Sequence, residues 1–133
     1  MVNHFKILLL HLMEKNKTLV IGASDNPARY SNMAVRRLRQ HGHEVVAIGR
    51  KKTAVGDVPV ENKPQIRNDI DTITLYLNPT HQEEYYDYFM SLEPRRIIFN
   101  PGTENDELER LASEKGIQCD EACTLVLLST GQY

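Results

Sequence analysis

The sequence predicts a single α/β domain, with a doubly wound, mainly parallel sheet of about five strands and helices on both faces. Short apolar runs recur along the chain with helical patterns between them, which is typical of βαβ units on a buried parallel sheet. A length of 133 residues suits one domain with a substantial core. The chain shows no internal repeat and no linker between domains.

Each element follows from a local pattern. Apolar runs predict strands at residues 18–21, 45–48, 70–77 and 96–99, with further strand material at 117–119 and 125–128. The stretch 49–69 is loop-rich and predicts at most a short strand around 58–60. Apolar residues at helical spacing predict a helix at 32–41, which Gly42 ends, and a second one that begins at Asn78-Pro79-Thr80. A third helix is expected from Thr103, a candidate N-cap, to Gly116.

The charge, the cysteines and the short apolar run near the N-terminus argue against several classes of protein. Residues 1–16 are interpreted as an N-terminal extension without an assigned function, and residues 17–133 as the domain. The apolar run at 7–10 is too short to span a membrane. A net charge of -2 argues against a dedicated nucleic-acid-binding protein, which would carry a basic stripe. Cys119 and Cys123 indicate neither a disulfide framework nor a metal site, so we expect buried thiols in a cytoplasmic protein.

The loop after the first strand is built to hold a phosphate. Open α/β sheets bind ligands where the strands end, and small residues there let the backbone approach a ligand closely. The N–H groups of the following helix favour an anion, and an arginine can meet a phosphate with two donors. The alternative is that the segment is only a tight turn followed by a helix cap. The candidate residues in this loop are Gly22, Ala23, Ser24, Arg29, Ser31 and Asn32.

The second strand ends in three consecutive cations, Arg50-Lys51-Lys52. An NAD-binding protein carries an acidic residue at this position to bind the ribose diol, and of the Gly-x-Gly-x-x-Gly fingerprint only Gly22 is present. The cations favour a ligand with a phosphate on its ribose. NADP and coenzyme A both fit this feature, while a solvated basic turn is the alternative.

Three motifs stand at the turns of the predicted sheet: Gly22-Ala23-Ser24-x-x-Pro27, Gly42-His43-Glu44-Val45-Val46 and the turn that follows the strand at 96–99. Together they resemble the small stand-alone CoA-binding proteins, which are similar in fold to the N-terminal CoA-binding domain of the succinyl-CoA synthetase alpha subunit. The resemblance covers the chain from residue 17 to about residue 128. It implies a Rossmann-like domain that binds coenzyme A or an acyl-CoA.

By match to the family's motifs, the resemblance also implies site residues. The segment Gly22-Ala23-Ser24 would face the diphosphate. Arg50 and Lys51 would approach the phosphorylated ribose or the diphosphate. Further positions that match the family's ligand loops are Asn78, Pro79, Asn100, Pro101, Gly102 and Cys123.

No pattern of residues indicates a catalytic or metal-binding constellation. We therefore favour a module that binds coenzyme A or an acyl-CoA as a carrier or regulator, without turnover. One alternative is an NADP-dependent oxidoreductase, which the missing glycines disfavour. Another is a structural or regulatory subunit with a vestigial nucleotide pocket, working through the aromatic face at 85–92. Since small domains with aromatic helix faces often dimerise, a homodimer is a further expectation.

Overall fold

A computed structural model of the chain describes His4 and residues 15–133, so the extension predicted at residues 1–16 lies largely outside the described residues. The strands are β1 (Lys17–Ala23), β2 (Glu44–Gly49), β3 (Thr53–Val55), β4 (Val58–Glu61), β5 (Ile70–Leu75), β6 (Arg96–Phe99) and β7 (Gln118–Glu121). The helices are α1 (Tyr30–Gln40), α2 (Pro79–Gln82), α3 (Tyr86–Leu92), α4 (Asp106–Glu114) and α5 (Thr124–Ser129), with a 3-10 turn at Glu83–Tyr85. Within the described residues, no helix combines the length and apolarity that a membrane crossing needs.

The strands form one sheet in the order β3-β4-β2-β1-β5-β6-β7. Neighbouring strands are parallel except β3 and β4, which form an antiparallel hairpin. The predicted doubly wound, mainly parallel sheet is confirmed, and it has somewhat more strands than expected. The hairpin lies in the stretch predicted to be loop-rich, and β4 contains the short strand expected around 58–60. Val55 and Val58 pair across its turn and are only 2% and 3% exposed, so burial stabilises even these short strands.

Two apolar clusters cover the two faces of the sheet. The central strands contribute to both clusters because their successive side chains point to opposite faces and are apolar on each. On one face, the helical contacts come from α3 and α4 through Phe89, Leu92, Leu108 and Ala112. On the other face, they come from α1 and α5 through Val35, Leu38 and Leu128.

The strand predicted at 125–128 is wrong, because these residues belong to helix α5. An apolar run of four residues carries no periodicity that could distinguish a strand from a buried helix. The helix begins at the buried Thr124, whose backbone N–H donates to the Asn100 side chain over 2.9 Å. Leu128 then packs on the same face of the sheet as α1.

Helix α1 begins at Tyr30, two residues before the predicted start at 32. Its N-cap position is Arg29, whose side chain makes no capping hydrogen bond. Ser31 and Asn32, two candidate residues of the predicted phosphate loop, are buried within this first turn. The first turn of α1 is therefore left without a side-chain cap.

Helix α4 is capped by Asn105 and not by Thr103. The Asn105 side chain accepts the backbone N–H of Leu108 over 3.2 Å. The Thr103 hydroxyl instead donates to the carbonyl oxygen of Asn100 over 2.7 Å, within the turn that follows β6. The turn is thus two residues longer than predicted before the helix begins.

Candidate functional site

An open cleft of about 790 Å³ lies at the carboxyl edge of the sheet. Its walls are the segments that follow β1, β2 and β5, which are neighbours because β1 lies between β2 and β5. Open α/β sheets bind their ligands at this position. The lining includes eight of the predicted site residues, Gly22, Ala23, Ser24, Arg29, Ser31, Arg50, Lys51 and Asn78.

Gly22 and Gly49 lie at the ends of β1 and β2, where neighbouring backbone fills the space that a side chain would need. A Cβ atom on Gly22 would lie 2.7 Å from the carbonyl oxygen of Tyr76, and the φ angle of Gly22 is +91°. A Cβ atom on Gly49 would lie 2.2 Å from the carbonyl oxygen of Ala23. The sheet itself therefore requires glycine at both positions, whatever the cleft binds.

The loop after β1 is held by its own hydrogen bonds. The Ser24 hydroxyl accepts the N–H of Asn26 over 3.1 Å, and the Asn26 side chain accepts the N–H of Ala28 over 3.0 Å. From the first turn of α1, the Asn32 amide donates to the Ser24 carbonyl oxygen over 2.9 Å. The loop thereby brings Arg29 and the uncapped N-terminus of α1 to the cleft, an arrangement that favours an anion.

Three cationic side chains of the cleft differ in their ion pairing. Lys51 Nζ lies 3.3 Å from a carboxylate oxygen of Asp25, which also accepts the Thr53 hydroxyl over 2.8 Å. The hydrogen bond from Thr53 and the contact with Lys51 hold the pKa of Asp25 below its usual value. Among the described residues, Arg29 and Arg50 form no ion pair. Two guanidinium groups are therefore available to an anionic ligand, while Lys51 is shared with a carboxylate.

The wall after β5 has a different chemistry. Asn78 caps α2 by accepting the N–H of His81 over 3.0 Å, and both residues line the cleft. Tyr76, Leu77, Glu84 and Tyr85 complete this wall. Burial raises the pKa of the Tyr85 phenol, and the charge of the nearby Glu84 carboxylate adds to the rise. This side of the cleft thus presents apolar, aromatic and acidic groups.

Six predicted site residues lie outside the cleft lining. The buried Asn100 amide donates to the Thr74 hydroxyl over 2.7 Å and accepts the N–H of Thr124, so it is bonded within the fold. Cys123 is the N-cap position of α5. Burial raises the pKa of Tyr76 to about 12, and charge on Cys123 adds to the rise. The others outside the lining are Asn32, Pro79, Pro101 and Gly102.

Three further polar residues of the lining, Asp25, Thr53 and Glu84, are not among the predicted site residues. Asp25 lies within the predicted phosphate loop, directly after Ser24, and this position is the signal that could have found it. Thr53 reaches the cleft only through the unpredicted hairpin, and Glu84 only through the 3-10 turn. Tyr85 belongs to the aromatic face predicted at 85–92. Its ring lies 5.8 Å from that of Phe89, and the residue also lines the cleft.

The sheet order and the cleft at its switch point define a Rossmann-like α/β domain. The chain belongs to the CoA binding domain family, whose model matches residues 16–129.

Several known proteins are similar to this chain. A crystal structure of an uncharacterized protein is 47% identical, with a TM-score of 0.86, and the match covers 89% of this chain and 98% of that one. The hypothetical protein from Pyrococcus horikoshii OT3 is 24% identical with a TM-score of 0.74, over 92% of this chain and 87% of that one, a likeness of fold alone. Uncharacterized protein YneT of Bacillus subtilis (strain 168) is 23% identical over 118 residues, which is 87% of each chain.

Proposed function

We propose that this protein binds coenzyme A or an acyl-CoA as a small carrier or regulatory module, without turning it over. The observation that carries the proposal is a switch-point cleft lined by two arginines without ion pairs among the described residues, in a chain of the CoA binding domain family. Coenzyme A carries a diphosphate and a ribose 3′-phosphate. Helix N-termini and arginine side chains are the groups that bind such anions best.

The proposed orientation of the ligand follows from where these donors lie. The diphosphate occupies the loop after β1, beside Arg29 and the uncapped start of α1. The ribose phosphate lies at the end of β2, near Arg50. Lys51 also contacts the ribose phosphate, while it keeps its contact with Asp25. The pantetheine arm then extends toward the wall after β5, because that is the remaining side of the cleft.

A ligand panel tests the function directly, since a ligand that binds only the folded state raises the melting temperature. Coenzyme A is expected to raise the melting temperature of the protein more than NADP or NAD does at the same concentration. A shift with NADP and none with coenzyme A would instead support the NADP-dependent oxidoreductase. No shift with any nucleotide would support the subunit with a vestigial pocket.

Replacing Arg50 tests whether this side chain binds the ribose phosphate. We expect Arg50→Ala to weaken the binding of coenzyme A about tenfold, the scale of one exposed charge-assisted hydrogen bond. The loss for 3′-dephospho-coenzyme A should be much smaller, because that ligand lacks the phosphate. Isothermal titration calorimetry with both ligands measures the difference.

The matched control is Lys52→Ala, which removes a neighbouring cation. Lys52 lies 3.9 Å from Glu61 and is not part of the cleft lining, so its loss should change both affinities little. Equal losses for the two ligands in Arg50→Ala would show that Arg50 does not contact the ribose phosphate.

A further inference from the structure

The two ends of the cleft carry opposite charge. The arginine and lysine side chains of the lining, Arg29, Arg50 and Lys51, all follow β1 or β2. The wall after β5 contributes neither arginine nor lysine to the lining and holds Glu84. Since β2 and β5 flank β1 on opposite sides, the ends of β2 and β5 are separated by two strand spacings, about 10 Å.

Glu84 is the acidic residue of the cleft lining that has no ion-pair partner among the described residues. The other carboxylate in the lining, Asp25, is paired with Lys51 over 3.3 Å. Among the described residues, Glu84 forms no ion pair, and its side chain is exposed. It stands beside Tyr85, whose ring is stacked with that of Phe89. A negative charge is thus held next to an ordered aromatic surface.

A coenzyme A thioester carries its acyl group at the end opposite to the ribose phosphate. With the phosphates at the cationic end, an orientation that rests on the proposed function, the thioester end reaches the wall after β5. We infer that this wall is an acyl subsite in which Glu84 selects acyl groups without charge over acyl groups that end in a carboxylate. A neutral acyl chain packs against Leu77 and Tyr85. A terminal carboxylate is repelled by Glu84.

Butyryl-CoA and succinyl-CoA test this selectivity, because they differ by a terminal methyl group against a carboxylate on chains of equal length. Isothermal titration calorimetry is carried out at low salt, where ions screen the charge of Glu84 least. The wild-type protein is expected to bind butyryl-CoA about three- to tenfold more tightly than succinyl-CoA. Glu84→Gln should remove this preference, and Glu84→Arg should reverse it.

Glu83→Gln is the matched control, because Glu83 is an adjacent exposed acid outside the cleft lining. It should keep the wild-type ratio of dissociation constants. Equal binding of the two thioesters by the wild-type protein, or an unchanged ratio in Glu84→Gln, would overturn the acyl subsite while leaving coenzyme A binding intact. If coenzyme A and both thioesters fail to bind, the proposed function is overturned and the acyl subsite with it.

Discussion

At the scale of single residues, Gly49 and Gly42 need glycine for different physical reasons. Gly49 has a φ angle outside the left-handed region, but a Cβ atom there would meet the carbonyl oxygen of Ala23. Gly42, at the end of α1, has a φ angle of +81°, while a Cβ atom there would have no neighbour within 4 Å. A steric requirement thus acts at one position and a conformational requirement at the other.

Alanine at these two positions should therefore have unequal effects on stability. Gly42→Ala is expected to lower the free energy of unfolding by about 1 kcal/mol, the cost of a left-handed residue with a side chain. Gly49→Ala should lower it by about 3 kcal/mol or more, because the backbone of β1 must move to relieve the clash. Urea unfolding of both variants measures the difference. Equal losses would show that the end of β2 relaxes without cost.

At the scale of elements, Tyr133 follows α5 and links this helix to the sheet. Its ring lies 4.7 Å from the ring of His43 and 4.6 Å from the Arg96 guanidinium carbon. Its hydroxyl is hydrogen bonded to the Thr18 hydroxyl at the start of β1. A six-residue helix has little stability of its own, so these contacts hold α5 in place.

Loss of the Tyr133 ring should destabilise the protein substantially. We expect Tyr133→Ala to lower the free energy of unfolding by about 2–4 kcal/mol, since it removes a largely buried aromatic ring. Tyr133→Phe should cost only about 1 kcal/mol, the net contribution of its hydrogen bond. Tyr30→Ala removes a tyrosine that is 70% exposed and should change stability little. Chemical denaturation would contradict this account if Tyr133→Ala were no less stable than Tyr30→Ala.

At the scale of the whole molecule, titrating groups concentrate at the amino edge of the sheet, opposite the cleft. Burial lowers the pKa of His43, and the charges of nearby basic groups lower it further. Burial acts to raise the pKa values of Asp69 and Asp71, but hydrogen-bonded ion pairs outweigh it and lower both. Lys17 Nζ lies 2.9 Å from Asp69, and Arg95 Nε lies 2.9 Å from Asp71. Stability should therefore depend on pH in two separate ranges.

The free energy of unfolding is expected to fall as the pH is lowered from 6.5, the unfolded pKa of His43, through its lower value in the folded protein. In that range the unfolded chain binds more protons than the folded one. A second fall should occur below 3.8, where Asp69 and Asp71 lose their ion pairs. Urea unfolding as a function of pH should show only the second fall in His43→Gln. The exposed-histidine control His81→Gln should keep both.

Much of the fold could be predicted because a long buried strand is visible in the sequence alone. The apolar runs within β1 and β5 are long enough to be assigned without knowledge of their neighbours. Strand β3 has three residues and depends on pairing with β4 and on burial of Val55, so no local sequence pattern predicts it. The cations at the end of β2 were predicted as one group, yet Lys51 and Lys52 have ion-pair partners outside this turn, Asp25 and Glu61. Of the three cations, only Arg50 forms no ion pair among the described residues.

The lengths of the two outer strands bear on how copies of the chain can meet. The unpaired backbone N–H and C=O groups of an edge strand can form hydrogen bonds with a strand of another copy, and such pairing leads to aggregation. Here β3 offers three residues on one side, and β7 offers four on the other, two of them the acids Asp120 and Glu121. Continuation of the sheet from one copy into the next is therefore discouraged at both ends. A second copy that docks on this protein would meet its helices.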